Sequence, residues 1–303
     1  MSALSRSLVD LFVIHDERRA ILLMALFAAG WFVVEDMLGR ALTQPYNLLQ
    51  IVWFRYLVHI ALVALVFRRE AFWKTGRRGY QLGRSALMLV MPASFAAAYY
   101  MAGGPSQIWV GFWCAPLMVL GFGWLMLGER PAALHWIATG AACLAAMIAS
   151  GAKLPSDPMV LLGALGMAAS FALYVVMTRS LRTERVGVNL FYTAVVPFVM
   201  LTPAIPFVWS TPTLWDGAVM AGIGGFGLVT LYLLDRAAAA APVAVSAAAI
   251  PLLAALSAGA GWVTGSHWVG RRMLAASVGV LGILAALWWQ SQGRGALARP
   301  NPG

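Results

Sequence analysis

Residues 104–130 form an apolar segment with a proline near its centre, and a segment of the same pattern follows in the second half of the chain. The first segment carries Pro116 and ends in the turn Leu-Gly-Glu-Arg, and the second, residues 241–265, carries Pro251. A membrane-length segment that is repeated at a matching position in each half indicates a membrane protein built by internal duplication.

The composition fits a chain that lies almost wholly in a bilayer. Of the 303 residues, 61% are hydrophobic and 11% are charged, whereas a soluble domain has about 25% charged residues. A membrane-spanning helix takes about 20 apolar residues, so we predict an all-α integral membrane protein of ten transmembrane helices, with no separate soluble domain. The predicted spans are residues 20–40, 47–67, 85–103, 106–127, 133–151, 159–178, 188–209, 215–234, 240–263 and 270–290.

The predicted spans fall into two groups of five, separated by a Pro-containing polar turn at residues 151–158. Because five is odd, the second group must lie upside down relative to the first. The sequence therefore predicts two inverted five-helix repeats, residues 20–151 and 159–290, with a solute site between them near the membrane midplane. Residues 1–19 and 291–303 are predicted to be a cytoplasmic N-terminal segment and a cytoplasmic C-terminal tail.

The net charge of +10 is explained by membrane topology. With the N-terminus inside, sixteen of the 21 Lys and Arg residues fall in inside segments, four fall outside, and Arg55 lies within a span. This bias follows the positive-inside rule, so we expect no nucleic-acid partner. Arg271 and Arg272 are the exception, because the predicted topology puts them outside.

Three stretches of the chain resemble the EamA type of the drug/metabolite transporter superfamily. They are GRSALMLVMPASFAAAYY at residues 83–100, the LGERP turn after the Pro116 span, and FALYVVMTRSLRTERVGVNLFYTAVV at residues 171–196. The resemblance covers about residues 20–290. One departure is that alignment of the two halves puts Ser266 where Glu129 stands.

The resemblance implies a secondary transporter of the bacterial cytoplasmic (inner) membrane that works by alternating access. We expect it to move a small organic metabolite, either an amino acid or another aromatic or amphipathic solute, in the export direction. The alternative is an uptake carrier for a cofactor-like metabolite such as riboflavin or S-adenosylmethionine. A non-transporting membrane scaffold is the alternative of a different class.

The expected partners are a small-molecule solute, the lipid bilayer, and protons or a counter-substrate. We expect no cofactor, no metal and no enzymatic activity, because the sequence has no phosphate-binding loop and Cys114 has no evident histidine partner. Since both repeats lie in one chain, the predicted functional unit is a monomer.

Ionisable residues within the first two spans are candidates for solute binding, since charge at that depth is costly unless it is paired or hydrated. In the functional interpretation, Arg55 anchors an anionic or carboxylate group, Glu35 holds a cation or proton, and His59 shares the face of Arg55. In the structural alternative, Glu35 pairs with Arg55, Asp36 pairs with Arg40, and His59 makes an interhelical hydrogen bond.

Each repeated proline removes one helical hydrogen bond, so Pro116 and Pro251 are predicted to bend their helices at the cavity. Trp113 lies one turn before the first bend and is the candidate aromatic lining residue. Trp109 and Trp124 share its stripe but fit the aromatic belts at membrane interfaces equally well.

Polar side chains on otherwise apolar helices are further candidates for lining the solute path. Ser170 and Tyr174 follow one line of the sixth span, and Tyr99 lies at the end of the third. The alternative is interhelical hydrogen bonding, which is worth about 0.6 kcal/mol per bond in membranes.

Charged residues cluster at the predicted cytoplasmic ends of the helices, where an ion-pair network would close a carrier on that side. The alternative is that these side chains only fix the topology by reaching into the interface. The residues of this predicted gate are Glu129, Arg130, Arg179, Asp235 and Arg236.

Overall fold

The computed structural model describes residues 19–31, 33–34, 46–68, 71–102 and 105–251. Within these ranges the regular structure is helical and no strand is present. The helices are α1 (Arg19–Trp31), α2 (Leu48–Val66), α3 (Arg78–Ala102), α4 (Ile108–Phe112), α5 (Ala115–Leu127), α6 (Ala133–Ala149), α7 (Pro158–Ser180), α8 (Val186–Leu201), α9 (Ile205–Val208), α10 (Leu214–Ala240) and α11 (Val243–Ala249). Short 3-10 turns at Pro105–Gln107 and Thr202–Ala204 lead into α4 and α9.

Six helical segments of the described chain are long and apolar enough to cross a membrane. Two shorter apolar helices, α1 and α6, accompany them. These eight segments coincide with the first eight predicted spans, so the all-helical, membrane-like character of the chain is confirmed. The tenth span and the second half of the ninth, residues 252–263, lie outside the described residues, so the ten-helix count and the inverted repeat stay predictions.

The helices pack into one bundle around α7. Helix α3 runs along α7, α2 lies against both α8 and α10, and α5 contacts α7 and α11. The main apolar cluster includes Phe27, Val119, Phe171 and Leu231, which come from four of these helices.

The bundle has two ends that differ in charge. At the first, which we call the basic end, α2, α5, α7 and α10 finish and α3 and α8 begin. At the second, the opposite end, α2 and α10 begin and α9 finishes. Hydrogen bonds close the opposite end, where Gln50 and Ser210 exchange two bonds of 2.6 and 2.8 Å.

Local sequence explains where the helices at the basic end stop. Gly128 follows α5 with φ 68°, a left-handed conformation that glycine adopts without strain and that commonly ends helices. This turn belongs to the Leu-Gly-Glu-Arg motif and directs Glu129 back toward the neighbouring helices.

Asp157 and Thr213 start α7 and α10 at the opposite end by accepting hydrogen bonds from first-turn amides.

The structure differs from the predicted spans in three main places, and the first is that α10 continues to Ala240, six residues past the predicted end at 234. Helix α3 begins at Arg78, seven residues before the predicted start, so Arg84 lies within a helix and is fully buried rather than in a cytoplasmic loop. The fourth span is interrupted at Trp113 and Cys114, where the Cys114 amide bonds to the carbonyl of Gly111 in a tighter turn. Pro116 then occupies the first turn of α5, a position that suits a residue without an amide donor.

Candidate functional site

The middle of α2 presents two nitrogen-bearing side chains to α10. Gly227 of α10 leaves space for them, because a Cβ at this position would lie 2.8 Å from Nε of Arg55 and 3.1 Å from Nε2 of His59. His59 has no exposed surface, and Arg55 is partly buried. The prediction that these two residues share a face is therefore confirmed.

Several of these nitrogens have no hydrogen-bond partner among the described residues. They are Nε of Arg55 and both ring nitrogens of His59. Buried donors are satisfied in the great majority of cases, and leaving one without an acceptor costs about 1–3 kcal/mol. Ionisable side chains with unpaired nitrogens at the centre of an apolar helix are candidates for a ligand-binding site.

Aromatic rings surround the guanidinium of Arg55. Its Cζ atom lies 5.9 Å from the ring centre of Trp31 and 5.7 Å from that of Tyr56. The Tyr56 ring also meets His59 edge-on at 5.5 Å, and its hydroxyl donates to the Met88 carbonyl at 3.4 Å. Cation–π contacts of this kind are stronger where water is excluded.

The predicted partner of Arg55 on the first span, Glu35, lies outside the described residues, as do Asp36 and its predicted partner Arg40. The Glu35–Arg55 pair and the Asp36–Arg40 pair therefore stay predictions.

A second polar cluster lies at the basic end and centres on Arg84. Its Nη2 atom donates to the carbonyl of Asn189 at 2.7 Å and to Oγ1 of Thr193 at 2.9 Å. Its Nη1 atom donates to Oγ1 of Thr178 at 3.1 Å, and its Cζ lies 5.2 Å from the Tyr174 ring centre. One buried arginine thus joins α3 to α7 and α8.

The Arg84 cluster continues to a buried carboxylate on α10. Nδ2 of Asn189 donates to Oδ1 of Asp235 at 2.7 Å, and Oδ1 of Asn189 accepts from Nε2 of Gln81 at the same distance. Arg236 lies 3.5 Å from Oδ2 of Asp235. Asp235 and Arg236 are therefore joined to a network that also contains Gln81, Arg84 and Asn189.

A separate ion pair ties the end of α5 to three other helices. Nε of Arg179 lies 3.1 Å from Oε1 of Glu129, and Nη1 of Arg179 donates to the last carbonyls of α10, those of Ala238 and Ala239, at 3.0 and 2.8 Å. The other oxygen of Glu129 accepts from the Val243 amide at 2.8 Å. Four of the five predicted gate residues thus take part in polar contacts at one end, whereas Arg130 is exposed.

The predicted aromatic and hydroxyl lining residues lie in several different surroundings. Trp113 is buried in a cluster with Phe112, and its indole nitrogen donates to Oγ of Ser150 at 2.8 Å. Ser170 is buried and donates to the Gly166 carbonyl of its own helix at 2.7 Å. Tyr174 belongs to the Arg84 cluster, and Tyr99 is exposed.

The two repeated prolines are both buried. Because Pro116 has no amide hydrogen, the Phe112 carbonyl one turn earlier has no helical donor, and the helix is interrupted there. Pro251 directly follows the turn that ends α11, and the residues after it lie outside the described part. A bend at Pro251 stays a prediction.

Arg84 and Gln81 are polar residues that sequence reasoning did not identify as candidates. Their spacing indicates one face of a helix, because Gln81, Arg84, Ser85 and Met88 recur at helical intervals. All four are buried in the structure. In the described residues no group of three His, Cys, Asp or Glu side chains is arranged to hold a metal ion.

Comparison with known proteins finds a similar solved structure and no family. No protein-family model matches the chain, and no curated protein matches it. Matches to solved structures comprise 27 chains. One of them, described only as a crystal structure of a protein, has a TM-score of 0.69 at 19% identity, with 92% of this chain and 97% of that chain covered. This likeness shows that nearly the whole chain shares a fold with a solved protein.

Proposed function

We propose that the chain is a membrane-embedded secondary carrier that moves a small organic solute by alternating access. The observation that carries this proposal is the pair of Arg55 and His59, which place donors without acceptors in the middle of apolar helices. Buried donors without acceptors cost free energy. A scaffold has no need of them, because membrane-spanning helices can associate by apolar packing alone. A solute that supplies acceptors during part of a cycle accounts for their presence.

Helix packing supports the inverted repeat on which alternating access depends. Exchange of the two predicted halves maps α2 onto α8 and α3 onto α10, and correspondingly α2 packs on α10 while α3 packs on α8. Close contacts follow the same exchange. Gly30 of α1 meets Thr230 of α10, and Gly166 of α7 meets Ser94 of α3.

The polar contacts at the two ends are the proposed gates. At the basic end, the Glu129–Arg179 ion pair and the Asp235 network hold α5, α7, α8 and α10 together. At the opposite end, Gln50 bonds to Ser210, and Tyr46 donates to Asp216 at 2.7 Å. We propose that the basic end is cytoplasmic, in keeping with the positive-inside rule, and that each end opens in turn.

The solute that we propose is an amino acid or another aromatic or amphipathic metabolite, moved outward across the cytoplasmic membrane by a functional monomer. The rings of Trp31 and Tyr56 beside Arg55 favour an aromatic solute with an anionic group. The resemblance to EamA-type transporters supports the same class, and protons or a counter-substrate are the proposed driving partners.

Counterflow in proteoliposomes tests this proposal. Vesicles loaded with unlabelled solute should accumulate labelled tryptophan, phenylalanine, threonine, riboflavin or S-adenosylmethionine, and the uptake of one of them should saturate. Arg55→Ala should abolish that uptake, whereas Arg182→Ala, which removes an exposed arginine at the basic end, should preserve it. If folded protein shows no saturable uptake of any of these five solutes, the proposal is contradicted for them and the scaffold alternative is favoured.

A further inference from the structure

Three nitrogen atoms converge on one point beside α10. The point is the position that a Cβ of Gly227 would take, and it lies 2.8 Å from Nε of Arg55, 3.1 Å from Nε2 of His59 and 3.2 Å from Nη2 of Arg55. These separations equal those of N–H···O hydrogen bonds, which are about 2.7–3.2 Å long. An oxygen atom close to this point would therefore meet both Arg55 donors at once, and a third donor from His59 in the tautomer that carries the proton on Nε2.

We infer that this convergence is a binding site for the carboxylate of the solute, formed by Arg55 and His59 and limited in size by Gly227. The inference rests on the proposed carrier for its solute, but it concerns binding and is tested without transport. The Arg55 guanidinium supplies a positive charge and a fixed fork that suits a carboxylate. His59 supplies a further donor from Nε2 when that nitrogen carries the proton.

Charge balance favours a monoanion over a phosphate group. Among the described residues, Arg55 contributes one permanent positive charge at this point, and one carboxylate neutralises it. A doubly charged phosphate leaves a net negative charge away from water, which is strongly unfavourable in a low-dielectric surrounding. A cation is excluded from this point by the three donors themselves.

The site is closed in this structure, since α10 lies directly on α2. The ideal Cβ position is about 1.5 Å from the glycine Cα, whereas a carboxylate oxygen needs a non-bonded separation of about 3.2–3.5 Å from that atom. Helix α10 must therefore withdraw by about 2 Å for the oxygen to enter. Gly224 makes the same close approach to α2, because its Cβ would lie 2.6 Å from Cβ of Val58.

A displacement of α10 links this site to both proposed gates. The helix carries Asp235 near its basic end and Asp216 near the opposite end, and both carboxylates hold hydrogen bonds to other elements. A solute that separates the Gly227 face of α10 from α2 thereby strains the hydrogen bonds of Asp235 and Asp216 at the two ends of the helix.

Glycine substitutions on α10 provide a matched test. Gly227→Ala places a methyl group on the point where the three nitrogens converge. Gly225→Ala, two residues earlier on the same helix, adds a methyl group that meets nothing within 4 Å in the described structure. The two variants share the same chemical change and differ only in the surface that it faces.

The experiment measures binding to the purified full-length protein in nanodiscs. The probes are labelled tryptophan, phenylalanine and threonine, each compared with its carboxamide, which has no carboxylate. At least one carboxylate probe should bind at least about tenfold more tightly than its amide. Gly227→Ala, Arg55→Lys and His59→Gln should each weaken this binding by about tenfold or more, while Gly225→Ala should change it by less than about twofold.

The possible results distinguish failure of the carboxylate-site inference from failure of the proposed carrier. Equal binding of acids and amides, binding that survives Gly227→Ala in a protein with unchanged unfolding temperature, or no binding of any of the three acids overturns the inference. Counterflow of a solute without a carboxylate that persists in Arg55→Lys also overturns it and leaves the carrier standing. The expected binding pattern without any counterflow keeps the carboxylate site and removes the carrier.

Discussion

Nη2 of Arg84 donates a hydrogen bond of 2.7 Å to the backbone carbonyl of Asn189, which lies 105 positions away in the sequence. This bond joins α3 of the first predicted half to α8 of the second. It leads through the Asn189 side chain to the buried carboxyl group of Asp235 on α10. The Arg84 cluster is therefore a polar link between the predicted halves at the basic end, beside the Glu129–Arg179 ion pair.

Arg84→Leu should strongly destabilise the protein, because it leaves the Asn189 carbonyl with fewer donors and removes the positive charge that faces Asp235. The expected loss is about 2–4 kcal/mol in the free energy of unfolding. Denaturant unfolding in mixed micelles measures it. Arg78→Ala removes an exposed arginine from the first turn of the same helix and should stay within about 0.5 kcal/mol of the wild type. Equal stability of the two variants contradicts the role given to Arg84.

Glu129 and Arg179 should be energetically coupled, since their side chains form an ion pair of 3.1 Å and are both mostly buried. A double-mutant cycle of Glu129→Gln and Arg179→Gln should give a coupling energy of about 1 kcal/mol. The matched cycle of Glu129→Gln with Arg182→Gln should be additive, because Arg182 is exposed and outside the network. A coupling energy of zero in the first cycle contradicts the ion pair and means that these charges only set the membrane topology.

The two neighbouring glycines of α10 should respond in opposite directions to alanine. Gly224→Ala should destabilise the protein by about 1–3 kcal/mol, because its Cβ would lie 2.6 Å from Val58. Gly225→Ala should stabilise it by about 0.5–1 kcal/mol, because alanine favours helices and the site is open. Thermal unfolding of both variants in one lipid mixture provides the comparison. The same sign for both contradicts the close packing of α10 on α2.

Tyr46 should give the opposite end an alkaline sensitivity. The hydrogen bond to Asp216 is the largest cause that raises the pKa of Tyr46 above its usual value of 10.0. A raised folded-state pKa means that the interaction is fully present below about pH 10 and is lost as the pH rises through the folded-state pKa. Ultraviolet titration should show that Tyr46→Phe removes one tyrosine from the late-ionising part of the curve. Loss of that amplitude from the part of the curve near pH 10 contradicts the expectation.

Local patterns predicted the helices well because each is decided mainly by nearby residues. Apolar runs of about 20 residues located eight of the segments, and the Leu-Gly-Glu-Arg turn located the end of α5. The helical spacing of Arg55 and His59 was enough to place them on one face. These features depend on periodicity and on turn chemistry, which can be read within a few residues.

Arg84 and Gln81 were missed because their burial depends on distant parts of the chain. Around Arg84 the sequence has Arg77, Arg78 and Gly83, a composition that indicates a polar loop rather than a buried helical turn. Only the packing of α7 and α8 against α3 supplies its hydrogen-bond acceptors. For the same reason, the sequence alone did not show that Gly227 is the residue that faces Arg55 and His59.

The most direct test of the proposed carrier and its carboxylate site is counterflow of a labelled carboxylate solute by Gly227→Ala and Gly225→Ala, reconstituted at equal amounts of folded protein. We expect saturable uptake by the wild type and by Gly225→Ala, and uptake reduced by about tenfold or more in Gly227→Ala. Equal uptake by the two variants would mean that the point where Arg55 and His59 converge plays no part in transport.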